Sequence, residues 1–247
     1  DMDLTSLSND KSYEKVKEEF EKCFLKVNVP TMFLEEFIDP IQKIETYHIH
    51  DSLKLRVNEW KFKSYDEETG KYFDCDFYPT LNPDELSSNV YNTFLGYRAQ
   101  EVEINKDFKP SWFIKHCSLL CGENNEYGMY LVKYCAHLLQ KPQEIPETGI
   151  VMRGKQGAGK DSIVNVLEKL IGKKYVFRTS NMNDAFGNFT SAFRDTLVYQ
   201  FNEVEGKEGF QFADKLKDLI TREENLINEK NIRPYKQKNL MRIFLFT

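Results

Sequence analysis

The chain has 247 residues, of which 40% are hydrophobic and 30% charged, so it is not a disordered chain and is long enough for one large or two small domains. No stretch approaches the roughly 18 to 20 apolar residues of a membrane span, and residues 1–20 contain no signal-peptide core. Five scattered cysteines argue against a disulfide framework and indicate a reducing, cytoplasmic setting. The net charge of −5 argues against a protein that coats nucleic acid with its whole surface, although it permits a local basic channel.

The beginning of the chain has helical periodicity. Apolar side chains recur at helical spacing, with charges between them, at Tyr13, Val16, Phe20 and Phe24. We therefore expect residues 1 to about 55 to be helical.

A β-hairpin is predicted over residues 58–80, because two aromatic-rich runs flank the loop DEETG at residues 66–70. Its aromatic side chains are more typical of packing within the hairpin than of stacking on nucleic-acid bases. Residues 1–105 are thus predicted to form a mainly helical domain with a β-hairpin. Helical spacing returns from Trp112 to Gln140, which predicts a helical lead-in over residues 106–148.

Residues 149–247 have a different pattern, in which short apolar strands alternate with helices. The predicted strands are 150–153, 175–177, 197–201 and 242–246; the predicted helices are 160–171 and 212–221, with a mostly helical stretch between the second and third strands. This alternation predicts an α/β core with a mostly parallel sheet covered on both faces.

The strongest local signal is a glycine-rich loop between the first of these strands and the first helix. In such a loop the glycines allow successive backbone N–H groups to face phosphate oxygens, and the lysine reaches the β- and γ-phosphates. We therefore expect a nucleotide site formed by Gly154, Lys155, Gln156, Gly157, Ala158, Gly159, Lys160, Asp161 and Ser162.

The loop departs from the usual pattern at one position. Asp161 follows the lysine directly, where Ser or Thr normally ligates Mg²⁺, and the hydroxyl comes one residue later at Ser162. Either Ser162 reaches the ion after a small shift, or Asp161 holds it through water.

An acidic segment follows the apolar strand 197–201. A carboxylate there would lie near the metal and the attacking water, and Glu203 is the expected catalytic residue that polarises this water. Asn202 stands where an Asp often binds the metal's water shell. Glu205 is a weaker candidate, and a solvated acidic turn is an equally open interpretation of the segment.

A basic segment lies near the end of the chain. Five basic residues and no acidic one occur from Lys230 to Arg242. A short hairpin is predicted here, with residues 227–229 and 232–235 as its arms and Lys230 and Asn231 at its tip. From composition alone such a run is typical of a solvated surface, whereas a tip lysine is also suited to a nucleic-acid backbone.

The order of these motifs resembles that of the superfamily 3 helicases, which are AAA+-like P-loop ATPases. It is most similar to the helicase part of the primase–helicases of poxviruses, giant viruses and some phages. The resemblance covers about residues 110–247 and rests on GKQGAGKDS, QFNEVEG, LITREENLINEKNIRPYKQKN and MRIFLFT.

The resemblance implies ATP and Mg²⁺ as cofactors and assigns roles residue by residue. Lys160 and Glu203 become catalytic, and the hairpin becomes a contact to single-stranded or forked DNA in the channel of a ring, usually a hexamer. The metal site then involves Asp161, Ser162 and Asn202, and the DNA contacts are Lys230, Arg233, Lys236 and Lys238.

The resemblance also implies a longer parent protein, with residues 1–105 as a collar or a link to a primase domain. MRIFLFT is similar to the start of a motif whose sensor asparagine would follow Thr247, so we expect the ATPase core over residues 149–247 to be truncated at its C-terminal end. The implied activity is ATP-driven DNA unwinding during viral or phage replication.

The sequence also allows two alternative functions. A small-molecule P-loop kinase would need a cluster of lid arginines soon after the loop, and Arg178 and Arg194 are few for that purpose. A non-catalytic, nucleotide-gated scaffold is suggested by Asp161 and Asn202. A zinc site is conceivable among Cys117, Cys121, Cys135, His116 and His137, but helical cysteines are more often buried as apolar filler.

Overall fold

The computed structural model describes most of the chain as two compact units. The residues described are 11–40, 45–51, 55, 60, 72–80, 82, 85–103, 105, 107–202 and 206–247. The first unit comprises residues 1–78, 82–95 and 228–235, and the second comprises residues 79–81, 96–227 and 236–247. None of the helices in the described part combines the length and apolar character needed to cross a lipid bilayer.

The described part of the first unit includes a helix, α1, and a five-stranded mixed sheet with the strand order β3-β2-β1-β4-β5. The pairs β1–β2 and β2–β3 are antiparallel, whereas β1–β4 and β4–β5 are parallel. The elements are α1 (Lys11–Cys23), β1 (Leu25–Val29), β2 (Met32–Ile38), β3 (Glu45–His50), β4 (Tyr72–Asp76) and β5 (Val90–Asn92).

The prediction of a helical segment up to about residue 55 is therefore correct for α1 and wrong for the three strands that follow it. Tyr47 and Ile49 alternate with His48 and His50, and this period of two is the signature of a strand. The helical spacing of the first turns does not extend past Phe24, and the mainly helical character predicted for this region is replaced by a sheet.

Apolar side chains cover both faces of this sheet. On one face Phe20 of α1 packs with Phe33 and Leu55, all essentially inaccessible to solvent. The opposite face carries a second cluster, Val27, Met32, Leu34 and Tyr91. The predicted hairpin at residues 58–80 lies largely outside the described residues; its described strand, β4, has parallel neighbours on both sides.

The second half of the chain forms helices, a parallel sheet and a hairpin. The parallel sheet has four strands in the order β6-β11-β8-β7, and β9 and β10 form a separate two-stranded sheet. The elements are α2 (Ser111–Leu120), α3 (Asn125–Gln140), β6 (Gly149–Met152), α4 (Asp161–Ile171), β7 (Val176–Thr179), α5 (Asn183–Phe186), β8 (Val198–Asn202), α6 (Gly206–Thr221), β9 (Glu224–Ile227), β10 (Tyr235–Lys238) and β11 (Arg242–Phe246).

The α/β class and the parallel sheet are confirmed for this part of the chain. The middle strands β8 and β11 are almost entirely buried, and α4 buries the predicted apolar face, including Ile163, Val164 and Leu167. The helical spacing from Trp112 to Gln140 corresponds to the two helices α2 and α3.

The stretch between β7 and β8 was predicted to be mostly helical, and this prediction is wrong. The stretch contains the single turn α5 and a 3₁₀ turn. The reason is local hydrogen bonding by short polar side chains. The backbone N–H of Asn181 donates to Thr179 Oγ1 at 2.8 Å, and that of Asn183 donates to Asn181 Oδ1 at 3.0 Å. Such bonds compete with helical ones and favour turns.

Candidate functional site

The glycine loop, defined as residues 154–160, joins the end of β6 to the start of α4. Gly157 and Gly159 have φ angles of 79° and 85°, a left-handed conformation that residues with a Cβ rarely adopt. From Gly154 to Gly159 the loop is exposed. The two glycines therefore give the loop its curled, open shape.

The Lys160 side chain lies back over this curl. Its Nζ donates to the carbonyl oxygen of Gly154 at 2.6 Å and to that of Lys155 at 3.2 Å. The ammonium group is thus held beside the exposed loop backbone. An anion bound there could replace these carbonyls as the acceptor of its hydrogen bonds.

The first turn of α4 has no side-chain cap on its N-terminus. The Ser162 hydroxyl donates to the carbonyl oxygen of Gly159 at 2.5 Å, and its Oγ also lies 2.5 Å from Nε2 of His116 on α2. The helix end adds a partial positive charge to the loop. The contact with His116 positions the Ser162 hydroxyl, which the sequence suggests as a metal ligand.

A buried glutamine connects the loop to the end of β8. Gln200 is fully buried, and its Nε2 donates to Asp161 Oδ1 at 2.5 Å and to Asn202 Oδ1 at 2.6 Å. Its Oε1 accepts from Nε of Arg178 at 3.1 Å. The structure thus brings together Asp161 and Asn202, two of the three residues predicted to form the metal site.

Glu203 and Glu205 lie outside the described residues. Asn202 is the last residue of β8, so Glu203 follows the strand directly in sequence. Its catalytic role remains a prediction.

A cavity of about 790 Å³ opens beside the loop, a size within the usual range for small-molecule sites. Its walls combine the loop with apolar side chains of α2, α3 and β6. Among the lining residues are His116, Leu120, Tyr127, Tyr130, Val151 and Lys160. A ligand held by the loop would have an apolar compartment within reach.

The predicted basic hairpin is present, with its strands further from the tip than predicted. Lys230 and Asn231 lie in the turn between β9 and β10, where Asn231 has a φ of 66°. Lys230 and Arg233 are exposed.

Two of the four predicted DNA contacts already have protein partners. Lys236 Nζ lies 2.6 Å from Glu224 Oε2, and this hydrogen bond and charge raise the pKa of Lys236. Lys238 Nζ donates to the carbonyl oxygen of Gln143 at 3.1 Å. We therefore rank Lys230 and Arg233 above these two lysines as candidate DNA contacts.

The cysteines of α2 and α3 are apolar filler, as their helical positions predicted. Cys117 and Cys135 are buried, and burial raises their thiol pKa values to about 11 and about 12, which disfavours the thiolate that binds metals. His137 contacts Arg242 instead. Within the described residues, none of these cysteines belongs to a group of three metal-ligating side chains.

Sequence reasoning missed the roles of Gln200 and His116. A signal for Gln200 was available, because it is the one polar residue within the apolar strand LVYQF, and a buried polar side chain must find partners. The contact between His116 and Ser162 joins residues 46 positions apart and has no local signature in the sequence.

Comparison with known proteins gives a fold and a family description without a function. Residues 152–247 match the model of DUF5906, a family of unknown function, and no curated protein matches the chain. The A form apo structure of the NrS-1 C-terminal region resembles it with a TM-score of 0.65 and 19% identity, over 94% of this chain and 55% of that chain. A second apo structure of that region gives a TM-score of 0.60 and 18% identity, over 94% and 56%. The chain thus spans about half the length of these structures, and at such identity the likeness establishes the fold alone.

Proposed function

We propose that this chain is the ATP-hydrolysing motor of a DNA helicase that acts in viral or phage DNA replication. The observation that carries the proposal is the junction between the glycine loop and the end of β8. There Lys160 lies over an exposed, curled loop, and Gln200 holds Asp161 beside Asn202. The junction therefore combines a basic side chain suited to phosphates, Lys160, with oxygen atoms of Asp161 and Asn202 that are suited to a cation.

In this proposal the triphosphate of ATP lies along the loop backbone, with Lys160 donating to its β- and γ-phosphates. Ser162, Asp161 and Asn202 are the oxygen ligands that we assign to Mg²⁺, which would neutralise charge on the phosphates. Hydroxyl, carboxylate and side-chain amide oxygens all suit this hard cation. Glu203 is assigned to orient the attacking water.

The adjoining cavity is assigned to the base and sugar of the nucleotide. Its lining includes the aromatic side chains Tyr127 and Tyr130, both more than half exposed. Aromatic faces stack on bases of any sequence. The exposed apolar area beside a phosphate-binding loop is thereby explained.

The hairpin between β9 and β10 is assigned to single-stranded or forked DNA, with Lys230 at its tip. A ring of identical subunits, a hexamer in this proposal, would concentrate this positive charge in one channel although the chain is acidic overall. A primase domain elsewhere in a parent protein belongs to the same proposal, as does action in the cytoplasm of a host cell. The fold shared with the NrS-1 C-terminal region supports the architecture alone.

The proposal is tested by phosphate release from ATP by the full-length protein, with and without single-stranded DNA. A helicase motor hydrolyses ATP faster when DNA is present. A small-molecule kinase would consume ATP only with its acceptor, and a scaffold would bind ATP without turnover; either result would replace the proposal.

A further inference from the structure

We propose that Glu35, His48 and His50 form a three-ligand site for a divalent transition-metal ion of the Zn²⁺ class. One potential ligand atom from each of the three side chains lies within 4.8 Å of the other two. The group lies in the first unit and takes no part in the ATP site. The proposal is therefore independent of the motor function.

The register of the sheet places these side chains together. In the antiparallel pair β2–β3, Glu35 is directly opposite His48, and Phe33 is opposite His50. Alternate residues of a strand share a face, so His48 and His50 project from the same face as Glu35. Because β3 is at the edge of the described sheet, this arrangement is open to an ion from solvent.

Neighbouring aromatic rings hold both imidazoles in position. The ring of His50 meets that of Phe24 edge-on, with centroids 5.4 Å apart. The ring of His48 lies against that of Phe37, with centroids 4.2 Å apart. These contacts restrict the rotation of both imidazoles, and a site whose ligands are already oriented loses less entropy on binding.

The donor set defines the class of ion. Two imidazole nitrogens and one carboxylate oxygen suit Zn²⁺ and its first-row neighbours, whereas Mg²⁺ and Ca²⁺ prefer oxygen ligands alone. Three protein ligands leave a fourth position for water. This open position is characteristic of zinc sites that act on a ligand or substrate rather than merely stabilise a fold.

A simple ion pair accounts for only part of this arrangement. His50 Nε2 lies 2.8 Å from Glu35 Oε2, a distance that a metal-free hydrogen bond explains fully. That pair does not require His48 at the position opposite Glu35. The second imidazole is the feature that distinguishes a chelating site from a pair.

The test uses the full chain, freed of metal by a chelator and then titrated with ZnCl₂ in a calorimeter. We expect one ion per chain, and His48→Gln or His50→Gln should each weaken the affinity more than about tenfold, since even the loss of an outer-sphere partner causes about that much. Glu36→Gln is the matched control. Glu36 is the next carboxylate on β2, faces the other side of the sheet and accepts a hydrogen bond from Tyr91 Oη at 2.7 Å.

Absorption of the Co²⁺-substituted chain gives the second readout. Nitrogen and oxygen ligands predict visible ligand-field bands without the intense near-ultraviolet thiolate-to-cobalt bands that cysteine ligands produce. Thiolate bands, the absence of Zn²⁺ binding, or equal affinity in the wild type and both histidine variants would each overturn the proposal. Circular dichroism of the His48→Gln variant, altered at an exposed side chain, separates loss of the site from loss of the fold.

Discussion

The amide nitrogen of Gln200 lies 2.5 Å from the Oδ1 atom of Asp161, which ties the middle of a buried strand to the first residue of α4. The same nitrogen donates to Asn202 at the end of that strand. A single side chain therefore sets the spacing between the glycine loop and the segment that leads to Glu203. The geometry of the proposed metal ligands therefore depends on a residue that is itself fully buried.

Replacing Gln200 by Leu should raise the Mg²⁺ concentration needed for half-maximal ATP hydrolysis severalfold. The change removes the donor that positions Asp161 and Asn202, and it leaves Nε of Arg178 without its acceptor, Oε1 of Gln200, at a cost of about 1–3 kcal/mol in the free energy of unfolding. Magnesium titration of the ATPase rate measures the first effect, and urea denaturation measures the second.

Gln237→Leu is the matched control for this change. Gln237 is also buried and its amide donates to an aspartate, Asp195 Oδ1, at 2.9 Å, but it is not part of the Gln200 network. It should lower stability to a similar extent without altering the Mg²⁺ requirement. An equal shift in both variants would contradict the role given to Gln200.

Lys160→Ala should reduce ATP turnover by about 10²-fold or more, the loss typical when one donor to a developing charge is removed. The ammonium group that now lies 2.6 Å from the carbonyl oxygen of Gly154 would no longer be available to the phosphates. Lys169→Ala, at an exposed position of α4, should retain the wild-type rate. Turnover by Lys160→Ala at the Lys169→Ala rate would refute the phosphate-binding role.

Lys230→Ala should weaken the stimulation of ATP hydrolysis by single-stranded DNA while leaving nucleotide affinity unchanged. Loss of one phosphate contact should also reduce the slope of log affinity against log salt by about 1. DNA binding measured by fluorescence anisotropy at several salt concentrations tests both expectations. Lys217→Ala, whose side chain pairs with Asp214 on α6, should leave the slope as it is; unchanged DNA stimulation in Lys230→Ala would exclude the hairpin as a DNA contact.

Arg242→Met should destabilise the fold by several kcal/mol, because each buried backbone carbonyl left without its donor costs about 1–3 kcal/mol. The Arg242 side chain has 0% exposure and donates to the backbone carbonyls of Lys141, Pro142, Glu144 and Leu240. Burial lowers its pKa to about 10. Arg233→Met, at an exposed position, should change the free energy of unfolding in urea by less than about 0.5 kcal/mol.

Stability should fall as the pH decreases below the ordinary histidine range, and His137 should account for part of the fall. Burial first, and then the charge of Arg242, lower the pKa of His137, while its Nδ1 lies 2.9 Å from Arg242 Nη2 as the acceptor. The native state therefore favours neutral His137, and the unfolded state binds the proton more readily. Its contribution is complete above about pH 6.5 and is lost below it, with a slope of at most about 1.4 kcal/mol per pH unit.

Urea denaturation at pH 7.5, 6.5 and 5.5 measures this dependence. His137→Gln should be less stable than the wild type at pH 7.5 and should show a shallower decline on acidification. A steeper decline in the variant would contradict the assignment.

The parts of the fold that the sequence predicted are those with local signals. The glycine loop, the face of α4 and the apolar runs of β6, β8 and β11 each follow from neighbouring residues, and a parallel sheet is the usual way to bury such runs. The strands β1 to β3 were missed because the helical period ending at Phe24 was extended over a segment that alternates with a period of two.

The parts that sequence could not give depend on contacts between distant residues. In the sequence Arg242 is one of five basic residues in a run typical of a surface, yet all but one of its hydrogen-bond partners lie about a hundred positions away, which makes it part of the core. The cluster of Glu35 with His48 and His50 depends on strand register, which a sequence pattern alone does not fix.

The most direct test of the motor assignment is the rate of phosphate release by the full-length protein with and without single-stranded DNA, compared with its Lys160→Ala variant. We predict turnover that rises severalfold with DNA in the wild type and is lost in the variant. Tight ATP binding without turnover, or a turnover rate that is the same with and without DNA, would contradict the assignment.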